Sequence, residues 1–116
     1  MMKDWNTYRD ELLAKVGDLA NNTPDVVRGL VTMENAAVKS GQLEPKLHEL
    51  IALAVAVTTR CDGCIAVHTK KAVEHGATEA EIAEALSVAI ALNAGAALTY
   101  SARVLDAHAQ LSELSN

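Results

Sequence analysis

Phenylalanine is absent from this chain of 116 residues, and its aromatic side chains are one Trp and two Tyr. The apolar half is therefore built of Ala, Val, Leu and Ile, which suits closely packed helices. A basic excess is also missing. Ten Lys and Arg face 15 Asp and Glu, for a formal charge of −5, so there is no field to attract phosphate backbones, and nucleic acid is excluded as a partner. Long apolar runs are scarce. Leu50 to Val57 is too short to cross a bilayer, and Ser87, Asn93 and Gly95 interrupt the next candidate, so no membrane span is expected. The opening Met-Met-Lys-Asp-Trp-Asn lacks the apolar core of an export signal, which points to the cytoplasm. Two cysteines are too few for the disulfide framework of a secreted domain. In a reducing compartment a close cysteine pair reads as redox or metal chemistry.

What is present is helical punctuation at regular intervals. Trp5, Tyr8, Leu12, Leu13 and Val16 recur at helical spacing between Asp4 and Leu19. Asn21-Asn22-Thr23-Pro24 breaks that helix, with Thr23 a good N-cap and Pro24 a good first helical residue for the second. Gly41 stops the second helix after Ser40, and Pro45 opens a third that runs to about Val57. A fourth ends at His75-Gly76, and Thr78 to Glu81 has the form of a capping box for a fifth. Asn93-Ala94-Gly95 marks a kink or end, after which a sixth helix closes the chain. No segment alternates as a half-buried strand does. The expectation is one all-α domain over residues 1–116 with about six helices. Leu50 to Val57 is apolar on every side, and so nearly is Leu86 to Leu98. A monomer this small has difficulty surrounding two such helices, so subunits are expected to cover them as a homo-oligomer.

Chemistry concentrates at Cys61-Asp62-Gly63-Cys64. His68 follows Cys64 by four residues, which on a helix puts imidazole and thiol on one face. A thiol of ordinary acidity is a poor nucleophile at neutral pH, and an adjacent base or a helix N-terminus raises its thiolate fraction. Glu49 is the fourth member. On a straight helix it would lie about 18 Å from Cys61. If the chain instead turns near Thr58-Thr59 and returns antiparallel, Glu49 falls at the depth of His68 and orients the imidazole. Thr59 and Asp62 also suggest a capping pair that puts Cys61 in the first helical turn, where the macrodipole and Arg60 favour its thiolate. Cys61 is then the more acidic thiol while Cys64 has the base, and either sulfur is a candidate for first attack.

Glu49, Cys61, Cys64 and His68 form an E-x(11)-C-x-x-C-x-x-x-H pattern that resembles the alkylhydroperoxidase D-like proteins of the carboxymuconolactone decarboxylase family. The flanks His48 to Ala56 and Ala72 to Ile82 are similar too, and the resemblance runs from about Leu43 to Leu105. It implies an all-helical subunit assembled as a trimer or hexamer, and a thiol peroxidase. In that cycle Cys64 attacks a small hydroperoxide, Cys61 condenses with the resulting sulfenic acid, His68 deprotonates Cys64 and Glu49 tunes the relay. A dithiol donor, a lipoyl or thioredoxin-like protein, then reduces the disulfide. No metal, flavin or haem is implied. The longer members carry a His between the cysteines where this chain has Gly63. The decarboxylase branch lacks the cysteine pair, so its presence points away from lactone chemistry.

Blander readings attach to the same residues. The cysteines also suit small buried apolar positions. Cys61, Cys64 and His68, with Glu49 or His48, would make four zinc ligands, but no second ligand pair follows at finger-like spacing. His75 suits a helix C-terminus, His48 and His108 read as solvated, and Tyr100 reads as core packing. A thiol–disulfide oxidoreductase or redox sensor that does not use peroxide, and a non-catalytic oligomeric binding protein, are the rival functions.

Overall fold

The computed structural model describes residues 2–114 and contains five helices: α1 (Trp5–Asn22), α2 (Pro24–Ser40), α3 (Pro45–Thr59), α4 (Asp62–Glu74) and α5 (Glu79–Leu114). Asp4 caps α1 by accepting a hydrogen bond from the Thr7 backbone N–H at 3.1 Å. Thr23 does not cap α2 as expected. Its hydroxyl donates backward to the Leu19 carbonyl of α1, and Pro24 starts α2 without a side-chain cap. Gly41 ends α2 in the left-handed region at φ 65°, where its missing Cβ removes the steric cost.

α3 and α4 form an antiparallel hairpin, with α5 packed on α3 and α1 packed on α4. The reversal lies two residues later than Thr58. Thr58 and Thr59 stay inside α3, each hydroxyl donating to the carbonyl four residues before it. The expected Thr59–Asp62 capping pair is thereby lost. Arg60 makes the turn instead, at φ 56°, and the N–H of Cys61 donates to the Ala56 carbonyl at 3.0 Å. That closure satisfies a carbonyl at the end of α3 and delivers the chain into α4 at Cys61.

The capping box at the start of α5 is present, with Thr78 N–H donating to Glu81 Oε1 at 2.9 Å and Glu81 N–H to Thr78 Oγ1 at 3.1 Å. The expected sixth helix is not separate: α5 continues through Asn93-Ala94-Gly95 for 36 residues. The Asn93 amide donates both to the Ala89 carbonyl of its own helix at 2.7 Å and to Thr58 Oγ1 of α3 at 2.8 Å. The residue read as a breaker thus ties α5 to α3, and one Gly inside a helix costs only about 1 kcal/mol. With this continuity, Glu79–Glu113 is long and apolar enough to cross a membrane by length and composition.

The buried apolar residues are Leu53, Ala56, Ala66, Ala72 and Ala89. Four small side chains among five let helix backbones approach closely, in keeping with the lack of aromatics. Outside this core the apolar surface is unusually open. Leu98 is 75% exposed, Leu105 73% and Val26 70%, and Tyr100 lies on the surface against the Arg103 guanidinium rather than in a core. α2 has no buried residue and leans mainly on α1.

Candidate redox site

The turn at Arg60 makes Cys61 the N-cap of α4. Its Sγ accepts the backbone N–H of Cys64 at 3.1 Å and is joined to Cys64 Sγ in a disulfide. Both sulfurs therefore sit where unpaired N–H groups and the positive end of the α4 dipole converge. When the pair is reduced, that setting favours thiolate at Cys61, in the place where the sequence put the more acidic sulfur.

His68 lies one helical turn beyond Cys64 on α4, and Glu49 lies in the second turn of α3. The hairpin brings them together, with His68 Nδ1 2.7 Å from Glu49 Oε2. The His68 side chain is 23% exposed and that of Glu49 13%, so the pair is shielded but not sealed. An ionised carboxylate can only accept, so Nδ1 carries the proton, and in the neutral imidazole Nε2 is then the nitrogen with the lone pair. The carboxylate thus fixes the imidazole tautomer that can act as a base, on the face of α4 that also carries Cys64. All four residues singled out in the sequence, Glu49, Cys61, Cys64 and His68, belong to this one hairpin. In this disulfide form the sulfurs are bonded to each other and Nδ1 is engaged by Glu49.

Three neighbours were not legible in the sequence. Lys3 Nζ is 2.9 Å from Asp62 Oδ2 and 4.1 Å from the centre of the Tyr8 ring, which pins the start of α1 to the start of α4. The hydrogen bond that it donates to Asp62 holds the Lys3 ammonium above its ordinary pKa. Leu12 of α1 lies over Gly63, where a Cβ would meet Leu12 Cδ2 at 2.8 Å. Glycine between the cysteines thus leaves room for the Leu12 methyl, which would have to shift for any larger residue. Arg9, also on α1, has a buried Nε without a hydrogen-bond partner.

A second clamp supports α3. Lys46 Nζ is 2.7 Å from Glu81 Oε2, which joins the first turn of α3 to the capping box of α5. The hydrogen bond from Lys46, with those from Thr78, holds the Glu81 carboxyl at about 2. His48 is half-buried beside Glu49, and His75 and His108 are exposed.

Similarity to known proteins agrees with this architecture. The chain is 47% identical over 108 residues to an uncharacterized protein of Haemophilus influenzae, covering 93% of this chain and 96% of that one. It is 32% identical over 105 residues to an uncharacterized protein of Cupriavidus necator, covering 90% and 93%. The crystal structure of the apo form of a carboxymuconolactone decarboxylase family protein from Legionella pneumophila superposes with a TM-score of 0.71 at 31% identity, over 93% of this chain and 96% of that one. The sequence model of the carboxymuconolactone decarboxylase family matches residues 24–107, a stretch that starts just after α1 and holds the whole α3–α4 hairpin. By that match and that shared fold, the chain belongs to the carboxymuconolactone decarboxylase family.

Proposed function

We propose that this chain is a thiol–disulfide redox enzyme that reduces hydroperoxides. The observation that carries the reading is the Cys61–Cys64 disulfide at the start of α4, with the Glu49–His68 pair one turn away. Membership of the family and the cysteine pair fit its alkylhydroperoxidase D-like members. In the proposed cycle His68 Nε2 takes the Cys64 proton. The thiolate attacks the distal peroxide oxygen, the O–O bond breaks, and the leaving alkoxide collects a proton to depart as an alcohol. Cys64 is then a sulfenic acid. The Cys61 thiolate attacks that sulfur, the S–O bond breaks, and the leaving hydroxide takes up a proton from solvent to depart as water, forming the disulfide. A dithiol donor, such as a lipoyl or thioredoxin-like protein, restores both thiols by exchange and leaves as its own disulfide.

The working form is proposed to be a homo-oligomer in the cytoplasm. The support is the series of exposed large apolar side chains along α2 and α5, a pattern that marks interaction surfaces. Packing against further subunits, rather than lipid, suits an α5 that bonds to α3 through Asn93 and carries Arg103 and Glu84.

A second reading, disulfide exchange with a protein substrate without peroxide, is favoured by Gly63. The place where longer relatives carry a relay His is here packed under Leu12. One experiment separates the readings. Reduced protein is mixed with a stoichiometric organic hydroperoxide, and free thiols are counted beside a parallel assay on a protein disulfide. The peroxidase reading expects loss of both thiols per chain with an internal disulfide, and no peroxide reaction in Cys64→Ser. Thiols untouched by peroxide but exchanging with the protein disulfide establish the second reading instead.

A further inference from the structure

The pocket between α1 and α4 lies outside the chemistry described so far. It is a half-open cleft of about 440 Å³, within the range of small-molecule sites. Trp5 from α1 and Ile65 and Val73 from α4 supply apolar walls. Arg9 and Lys70 are the cations that line it, Arg9 from α1 and Lys70 from α4, where Lys70 stands 3.9 Å from Glu74.

Arg9 is incompletely satisfied. Its Nε is buried and has no partner, while Nη2 is held only by Asp10, the next residue, through one carboxylate oxygen at 3.1 Å. Nε and Nη2 form one edge of the guanidinium, the edge a carboxylate engages with both oxygens. Asp10 is 71% exposed, so its hold is solvent-screened and readily exchanged. A mainly apolar pocket beside a half-satisfied guanidinium edge suits a ligand with an apolar body and a terminal carboxylate that takes the place of Asp10 on that edge.

We propose that this pocket binds a small amphipathic monocarboxylate, its chain between Trp5 and Val73 and its carboxylate on the Nε–Nη2 edge of Arg9. The site stands independently of whether Cys64 reacts with peroxide. Ile65 and Thr69 of its wall are the neighbours of Cys64 and His68, so its occupant lies against the opposite side of the helix that carries the redox residues.

Trp5 is the sole tryptophan and lines the pocket, so its emission reports occupancy in the full-length chain. Decanoate and 1-decanol are titrated below their aggregation concentrations, with emission read at each step. Decanoate is expected to produce a saturable change at least tenfold tighter than 1-decanol. Arg9→Gln should remove that preference while leaving the alcohol response in place. Asp10→Asn should tighten decanoate by severalfold, a gain that misfolding does not produce. Absence of a saturable response, equal affinity for acid and alcohol, or decanoate binding unmoved in both variants overturns the proposal.

Discussion

Helix α4 has two working faces of different character. Toward α3 it meets a carboxylate: His68 and Glu49 are 2.7 Å apart, held by a hairpin that lies wholly within the family-matched residues 24–107. Toward α1 it meets mostly hydrocarbon, with Leu12 on Gly63 and Trp5 beside Ile65, and α1 precedes the matched stretch. One face carries titratable and sulfur groups. The other carries apolar shape, an arginine whose guanidinium is only partly satisfied, and a helix clamped by Lys3. The difference teaches that one short helix can hold a polar, titratable face apart from an apolar one, because residues 100° apart around it meet different partners.

The sharpest way to break the comparison is to disable one face and watch the other. His68→Gln should slow thiol oxidation by peroxide by about 100-fold or more, the scale of losing a general base. Trp5 emission should stay as in the wild type, since Trp5 reports the α1 side. Loss of both signals together would mean that the faces are not separable.

Disabling the second face gives the next effect. Gly63→His brings a Cβ to 2.8 Å from Leu12 Cδ2, so the end of the Leu12 side chain must swing aside, and it should destabilise the chain by about 1 kcal/mol, the low end of overpacking. Added Leu12→Ala should recover most of the loss in thermal unfolding. Failure of that rescue would place the strain elsewhere than at α1.

Smaller effects test the support of α3. Thr78→Ala removes one arm of the α5 capping box and should cost about 1 kcal/mol in denaturant unfolding. The Lys46–Glu81 clamp has an acid signature. Glu81 titrates at about 2, below its ordinary 4.5, because Lys46 and Thr78 hydrogen-bond its carboxylate. A depressed carboxylate contributes stability that is fully present above 4.5 and is lost as pH falls through about 2. The difference in melting temperature between wild type and Glu81→Gln should therefore be largest above pH 4.5 and shrink below it.

The redox face was legible in the sequence because its geometry is local. Cys64 and His68 are four apart on one helix, and one reversal is enough to bring Glu49 to them. The reversal itself was read two residues early, at β-branched Thr58 and Thr59, whose hydroxyls in fact bond back into α3. Arg60 in the left-handed region carries no sequence signal, since that region favours Gly or Asn. Asn93 and Gly95 misled because their cost is offset by a contact with Thr58, 35 positions away. The α1 face was illegible for the same reason: Leu12 on Gly63 and Lys3 on Asp62 join residues that no periodicity connects. Tyr100 and the α5 stripe read as interior, and the single chain leaves them uncovered. Their apolar pattern is what the proposed oligomer would cover.

The relay itself is tested most directly by stopped-flow rates of thiol oxidation in the reduced wild type, Glu49→Gln, His68→Gln and the double variant. If the carboxylate acts only through the imidazole, Glu49→Gln slows the reaction by about tenfold and the double variant is no slower than His68→Gln alone. Rates that multiply in the double variant, or a Glu49→Gln chain as fast as wild type, would contradict a base on Cys64 held in place by Glu49.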